Sequence, residues 1–134
     1  MLVIDPFNFI DLKQGRLMMT DAINRLLTKV TQWAKSTESV VLFIAHPAKP
    51  QDRGNTVPSG LDISGSISWY TKADFLLSVV RNDVDVSIHV SKVRWNFQGE
   101  QGVAKLKYNE VSGRFEEISG DSTFDESYEW TTDF

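Results

Sequence analysis

Two polar side chains lie where apolar strands are predicted to end. Asp5 comes directly after the short β-branched run Leu2–Ile4. His46 follows Val40–Ala45, which is the longest unbroken apolar run in the chain. Open parallel sheets bind ligands beyond the carboxyl ends of their strands, where a carboxylate can hold Mg²⁺ and an imidazole can hydrogen-bond a phosphate. The alternatives are an aspartate that starts a turn and a histidine that only ends a strand.

Lys92 and Arg94 alternate along a predicted strand, so both positive charges fall on one side of it. Like charges repel each other unless an anion lies between them, and a guanidinium binds phosphate oxygens in pairs. A triphosphate, a DNA backbone or a neighbouring subunit would supply that anion. The alternative is a strand face that contacts only solvent.

A long polar loop over residues 47–61 carries the cations Lys49 and Arg53. It is followed by Ser64-Gly65-Ser66, whose small side chains let the backbone approach phosphates closely. Flexible basic loops bind single-stranded DNA without regard to its base sequence. We therefore expect Lys49, Arg53, Ser64, Gly65 and Ser66 to contact single-stranded DNA, although a plain surface loop has the same composition.

The elements that must position these residues alternate between strand and helix. Apolar residues recur at helical spacing from Ile23 to about Ser36, and Thr20 is the predicted N-cap of this helix. With an apolar run on either side, the helix predicts a βαβ unit and therefore a parallel sheet. A brief helix is expected within Asp62–Ala73.

The second half of the chain reads as a β-meander that completes the same sheet. It consists of a buried strand, an alternating strand and two strands that follow glycine-containing turns: Phe75–Val80, residues 84–90, Val103–Tyr108 and Arg114–Ile118. His89 lies on the polar side of the alternating strand and is expected at the surface. The predicted fold is α/β, a mostly parallel twisted sheet with flanking helices over residues 1–118, followed by a flexible acidic tail over 119–134.

The composition excludes several classes of protein. With 41% apolar residues, 24% charged residues and no cysteine, the chain is an ordinary globular domain without disulfides or cysteine-bound zinc. Its longest apolar run is too short to cross a membrane and its first residues lack a signal-peptide pattern, so we expect an intracellular protein. All 14 Lys and Arg residues lie before residue 115, whereas seven of the 18 acidic residues lie after it. This asymmetry favours a nucleic acid and a separate protein as partners.

The phosphate-binding motif G-x-x-x-x-G-K-[ST] does not occur in the chain. A triphosphatase would need that cradle from outside these 134 residues, so we expect the isolated chain to be inactive. The two histidines are far apart in sequence, which argues against a structural zinc site. The chain also lacks the G-x-S-x-G motif that would support a serine hydrolase.

Several short motifs occur in a characteristic order along residues 1–118. They are Leu-Val-Ile-Asp5-Pro, Phe-Ile-Ala-His46-Pro-Ala-Lys49-Pro, Asp62-Ile-Ser-Gly-Ser66, Lys92-Val-Arg94 and Leu106-Lys-Tyr108-Asn, with Ser-Gly113-Arg-Phe115 at the end. This set resembles the C-terminal half of a RecA-like hexameric replicative helicase of the DnaB superfamily. The resemblance is greatest to the Twinkle helicases and to the primase-helicases of short-tailed phages.

The resemblance implies a role for each residue that could do chemistry. Asp5 would be the carboxylate that holds Mg²⁺, and His46 the sensor of the terminal phosphate that links hydrolysis to the DNA-binding loops. Arg94 would be an arginine finger that reaches the nucleotide of the neighbouring subunit, with Lys92 beside it. The phosphate cradle would lie on the other half of the domain.

Two more positions match a nucleotide site in the same family. Arg81 and Tyr108 would sandwich the base of the bound nucleotide, which is ATP or dTTP. Two features depart from the family pattern: the loop after His46 matches no one relative closely, and Ser64 and Tyr70 fall where some phage enzymes carry arginines. These departures imply a lower positive charge toward the DNA.

The acidic tail carries a separate resemblance. Its run Glu126-Ser-Tyr-Glu-Trp130-Thr-Thr-Asp133-Phe134 is similar to the C-terminus of the phage enzymes, which docks on the replicative DNA polymerase. Asp133 and Phe134 would then contact the polymerase, because a terminal aromatic side chain in a solvated segment favours an anchor. The alternative is an end that only increases solubility.

Together these features predict the C-terminal half of an NTP-driven helicase that forms a ring, with a hexamer expected, and moves 5′ to 3′ along single-stranded DNA. Its expected location is the cytoplasm of a phage-infected bacterium or an organellar nucleoid. A non-enzymatic module that bridges DNA and a replication protein, and half of a RecA-type recombinase, are the alternatives.

Overall fold

The structure is a computed structural model and describes residues 1–7, 10, 12, 18–47, 57–65, 67–83 and 85–118. The chain divides into two compact units, Met1–Leu76 and Leu77–Phe134. The predicted tail over residues 119–134 lies outside the described residues.

The first unit contains the predicted βαβ arrangement. Strand β1 (Leu2–Ile4) pairs in parallel with strand β2 (Val41–Phe43), and helix α1 (Met19–Ser36) connects them. Ile4 lies directly opposite Phe43. A second, short helix, α2 (Ser68–Lys72), falls within the segment predicted to contain one. The prediction of a parallel βαβ unit is therefore confirmed here.

Helix α1 ends at Ser36, as its periodicity predicts, but it begins earlier than predicted. Its N-cap is Met18, which is extended and makes no side-chain capping bond. The Met18 carbonyl accepts hydrogen bonds from the backbone N–H groups of Asp21 and Ala22, at 3.0 and 3.1 Å. The prediction that Thr20 caps the helix is wrong, because the main chain alone already forms the first turn two residues upstream.

The core of the first unit joins helix α1 to a cluster of aromatic rings. Ile23 and Leu27 face inward from the helix, and Ile23 is fully buried. Phe7 and Trp69 pack edge to face with ring centroids 4.5 Å apart, and Phe43 lies 5.6 Å from Trp69 in a similar orientation. Aromatic pairs of this geometry each add about 0.5–1.5 kcal/mol beyond the apolar area that they bury.

The second unit is a β-meander with strand order β3-β4-β5-β6. Its strands are β3 (Phe75–Arg81, which begins at the end of the first unit), β4 (Val86–Val93), β5 (Gly102–Asn109) and β6 (Arg114–Glu117). β5 pairs antiparallel with both β4 and β6. A turn of 3-10 helix (Asn96–Gln98) lies between β4 and β5.

One feature of the predicted fold differs from the structure. The meander forms its own antiparallel sheet and does not complete the sheet that contains β1 and β2. Parallel strands need a long crossover connection, whereas strands joined by short turns can pair only in the antiparallel direction. Within the described residues, β1 and β2 are joined by such a crossover, while β3 to β6 follow one another through short turns. A RecA-like arrangement therefore stays a prediction.

His89 corrects another prediction. Its side chain is only 3% exposed, Ser87 on the same side of β4 is also buried, and the Ser87 hydroxyl lies 3.0 Å from His89 Nε2. Ile88 and Val90, on the other side, are half-buried. The prediction that His89 lies at the surface is wrong, because alternation distinguishes the two faces of a strand without showing which face is covered. Burial lowers the pKa of His89 below its ordinary value of 6.5 by disfavouring the charged ring.

The lowered pKa of His89 has a consequence for stability. The unfolded chain binds a proton at this ring at a higher pH than the folded chain, so the stability that neutral His89 contributes is complete above about pH 6.5 and is lost as the pH falls through the folded pKa. We expect the unfolding free energy, measured by urea denaturation, to decrease over this acidic range. In His89→Gln, which keeps a polar group beside Ser87, the decrease should be shallower. Equal pH dependence in both proteins would contradict the assignment.

Candidate functional site

The parallel pairing of β1 and β2 brings the ends of both strands together. The Ile44 N–H donates to the Ile4 carbonyl at 2.9 Å, and the Phe7 N–H donates to the Ile44 carbonyl at 2.9 Å. Asp5 lies between these two bonded positions, and His46 follows Ile44 by two residues. The backbone therefore holds the predicted carboxylate and the predicted imidazole at the same, carboxyl-terminal end of the strand pair.

Both side chains also belong to one face of that pair. Val3 lies directly opposite Leu42, and both are exposed. Exposure alternates from Val3 onward in the first strand and along the whole of the second, and the alternation continues past both strands. Asp5 therefore follows the pattern of Val3, and His46 follows that of Leu42. We infer from this alternation that Asp5 and His46 share the open face of the strand pair. The side opposite packs on helix α1 and the aromatic core.

Asp5 suits Mg²⁺ as one ligand among several. Within the described ranges, no group of three or more His, Cys, Asp or Glu side chains could hold a metal ion. Mg²⁺ commonly binds through one or two carboxylates and completes its octahedral shell with water and substrate phosphates. A single exposed carboxylate at a strand end fits that mode of binding, and it does not fit a structural metal site made entirely of protein ligands.

The predicted DNA contacts belong partly to a segment that returns beside His46. Pro47 forms an isolated antiparallel bridge with Ile63, directly before Ser64 and Gly65. Ser64 and Gly65 are both exposed. The other predicted contacts, Lys49, Arg53 and Ser66, lie outside the described residues.

Gly65 has a conformation that requires glycine. Its φ is +102°, a region that other residues rarely adopt, and an added Cβ would lie 2.5 Å from the Cδ1 atom of Ile23. Ile23 is the fully buried residue of helix α1. The position of the exposed segment is therefore set by close packing on the core of the first unit.

The second unit places its predicted nucleotide-binding residues in two groups. Arg81 ends β3 directly before a turn, which is closed by the Asn82 N–H donating to the Asp85 carbonyl at 2.9 Å. Tyr108 lies near the same end of the sheet, because Leu106 in its strand is opposite Val86. Tyr108 and Phe115 are both about half exposed, and their ring centroids are 5.2 Å apart. A base could stack on an aromatic surface of this kind.

Lys92 and Arg94 lie at the opposite end of this sheet. From the register of β4 and β5, Lys92 and Tyr108 are on the same face but eight residues apart along the strands, which is about 26 Å at the usual rise per residue. Arg94 follows directly after β4, and both cations are half-buried. The structure therefore separates the predicted base sandwich from the predicted arginine finger.

Two structural features, one in each unit, are not among those predicted from the sequence. Trp95 and Phe97 are exposed and stack beside Arg94, with ring centroids 6.4 Å apart. Ser59 and Asp62 close a turn through their side chains, with Asp62 Oδ2 accepting from the Ser59 N–H at 2.6 Å. The spacing Ser59-Gly-Leu-Asp62 is typical of such a turn and could have predicted it.

Two known proteins are similar to this chain over most of its length. The chain is 34% identical over 122 residues to a Twinkle homolog protein, chloroplastic/mitochondrial, from Arabidopsis thaliana, an alignment that covers 85% of this chain and 17% of the relative. It is 31% identical over 106 residues to the DNA helicase/primase of Enterobacteria phage T3, covering 72% of this chain and 19% of that protein. No protein-family model matches the chain. The chain thus spans less than a fifth of the length of these relatives.

Among the residues that the structure describes, no helix is long and apolar enough to cross a membrane.

The packing of Gly65 can be tested by a single methyl group. We expect Gly65→Ala to lower the unfolding free energy by about 1–3 kcal/mol, because the new Cβ meets buried Ile23 and the backbone is strained. Gly102→Ala is the matched control, since an added Cβ there has nothing within 4 Å. Urea denaturation of both variants measures the difference, and equal stability would show that the segment does not pack closely on the helix.

Proposed function

This chain belongs to the family of Twinkle proteins and phage primase-helicases, and from that premise we propose that it is part of an NTP-driven replicative DNA helicase. It would bind single-stranded DNA, assemble with other copies into a ring, with a hexamer as the expected form, and move 5′ to 3′. The nucleotide would be ATP or dTTP. The G-x-x-x-x-G-K-[ST] cradle, which is absent from these 134 residues, would come from another part of the protein.

The observation that carries this proposal is the placement of Asp5 and His46 at one end and on one face of the parallel strand pair. Hydrolysis of a nucleoside triphosphate needs a cation that neutralises the phosphate oxygens and a group that responds to the terminal phosphate. When bound, Mg²⁺ would neutralise charge on the phosphates. Asp5 would hold that ion through an oxygen, and His46 would hydrogen-bond the terminal phosphate.

The two groups of residues in the second unit fit an assembly of several subunits. Arg81 and Tyr108, at one end of the sheet, would stack on the base of one nucleotide. Arg94, with Lys92 beside it, would contact the γ-phosphate of the neighbouring subunit's nucleotide. The spacing of about 26 Å between Lys92 and Tyr108 along the strands supports the use of the two groups on two different nucleotides. A ring provides this arrangement at every interface.

The remaining contacts complete the proposal. The DNA backbone in the central channel of the ring would be contacted by Lys49, Arg53, Ser64, Gly65 and Ser66. The tail would bind the replicative DNA polymerase through Asp133 and Phe134. The supports for these parts are the exposure of Ser64 and Gly65, the relatives named as a Twinkle homolog and a DNA helicase/primase, and the acidic tail with its terminal aromatic residue.

The arginine finger is tested in the full-length protein. We expect Arg94→Ala to reduce the kcat of NTP hydrolysis about 10³–10⁵-fold while nucleotide affinity is retained, because the finger stabilises charge that develops in the transition state. Arg114→Ala, which removes an exposed arginine from β6 of the same unit, is the control and should hydrolyse normally. Steady-state hydrolysis and nucleotide-binding titrations measure the two effects. If Arg94→Ala hydrolyses NTP at the normal rate, Arg94 is not part of the site. If the unsubstituted protein does not hydrolyse NTP at all, the non-enzymatic bridging module is favoured.

The tail is tested by deleting its last residue. Removing Phe134 should weaken association with the replicative DNA polymerase by roughly 30-fold, the effect of losing an interface anchor worth about 2 kcal/mol. Phe134→Leu keeps an apolar end and should retain most of the affinity. Surface plasmon resonance gives the affinity, and unwinding by the helicase alone, which should be unchanged, is the internal control. Unchanged association after the deletion would mean that the tail only increases solubility.

A further inference from the structure

A compact turn lies directly before the exposed Ser64 and Gly65. The carboxylate Oδ2 of Asp62 accepts two hydrogen bonds from Ser59, one from its backbone N–H at 2.6 Å and one from its hydroxyl at 2.9 Å. The Asp62 N–H returns a bond to the Ser59 carbonyl at 3.0 Å, and the Leu61 N–H donates to the Ser59 hydroxyl at 3.2 Å. Two of these four bonds reach the carboxylate oxygen, and the other two join the backbone of Leu61 and Asp62 to Ser59.

The turn is packed tightly against other residues of the first unit. Gly60 at its centre is buried, and a Cβ added there would lie 2.7 Å from the Cδ1 atom of Leu76. At the far end, Gly65 meets the fully buried Ile23 at 2.5 Å by the same measure. Both ends of the segment therefore lie against apolar side chains, and the one at the Gly65 end, Ile23, belongs to the core of the first unit.

The same turn is linked to the end of β2. Ile63, which follows Asp62, forms the backbone bridge with Pro47, which follows His46. The residue adjoining the proposed phosphate sensor is thus paired with the residue adjoining the proposed DNA contact, Ser64. The bridge therefore joins the two segments through their backbones, and the hydrogen-bonded turn directly precedes Ile63.

We propose that Ser59 and Asp62 are positioning residues that couple the nucleotide site at His46 to DNA binding at Ser64 and Gly65. This inference rests on the proposed function. In this role the turn would act through Ile63 and not by its own contact with nucleotide or DNA. It holds Ile63 in its bridge to Pro47, so that a change at His46 alters the position of Ser64, and DNA bound at Ser64 alters the position of His46. Thermodynamic linkage makes such a coupling reciprocal, with a typical size of about 5–150-fold in affinity.

The test uses the full-length protein with Ser59→Ala, Asp62→Ala and the conservative Asp62→Asn. NTP hydrolysis is measured with and without an oligodeoxythymidylate as the single-stranded DNA. DNA affinity is measured with and without a non-hydrolysable NTP analogue. We expect Asp62→Ala to reduce both the DNA stimulation of hydrolysis and the effect of nucleotide on DNA affinity by about tenfold, within the usual range for coupling between sites. The DNA-free kcat and KM should stay close to those of the unsubstituted protein.

The other variants separate coupling from general damage. Asp62→Asn still offers an oxygen that accepts both bonds and should recover most of the coupling, whereas Ser59→Ala keeps the backbone bond and should lose part of it. Asp83→Ala and Ser112→Ala remove exposed residues of the second unit and should behave as the unsubstituted protein. If Asp62→Ala does not fold, Ser59→Ala decides, because it removes only the hydroxyl.

Two results would overturn this inference and leave the proposed helicase function intact. They are unchanged coupling in Ser59→Ala and Asp62→Ala, or an equal loss of DNA-free and DNA-stimulated hydrolysis in those variants. The second result would assign the turn a purely structural role. An unsubstituted protein whose hydrolysis does not respond to DNA would overturn the proposed helicase function and the coupling together. The three outcomes are therefore distinguishable.

Discussion

The parallel pairing of β1 and β2 is the constraint on which the candidate site depends. Three residues of each strand are paired, from Leu2 opposite Val41 to Ile4 opposite Phe43, and two further backbone bonds extend the contact to Phe7. A shift of the register by one residue would turn every side chain of β1 to the other face. Asp5 would then point toward the aromatic core, where a carboxylate has no solvent and no cation to stabilise it.

Much of the secondary structure could be predicted because periodicity reports it directly. The apolar residues of α1 recur at helical spacing, and the strands of the meander are separated by turn residues. The burial of His89 could not be predicted in this way, since it depends on which face of the sheet is covered. The start of α1 at Met19 was also missed, because an extended backbone with a free carbonyl can initiate a helix without a capping side chain.

The candidate site was predictable in its parts and not in its arrangement. Asp5 and His46 could be placed together because both end apolar strands that a helix connects. The separation of Lys92 from Tyr108 depends on the antiparallel register of β4 and β5, in which Val86 lies opposite Leu106. No residue pattern specifies that register in advance. Once it is known, the residues proposed to stack on a base and those proposed to contact a phosphate fall at opposite ends of the second unit.

The open face of β1 and β2 combines polar and apolar groups in a way that suits the proposed chemistry. Val3 and Leu42 are exposed at 47% and 43% beside the positions of Asp5 and His46. Parallel strands are normally covered on both faces, so this apolar surface favours contact with further protein. In the proposed helicase, covering it would exclude water from the carboxylate and the imidazole. Charge interactions with a bound triphosphate would then be stronger than at an exposed strand end, because a medium of low dielectric constant screens charges less than water does.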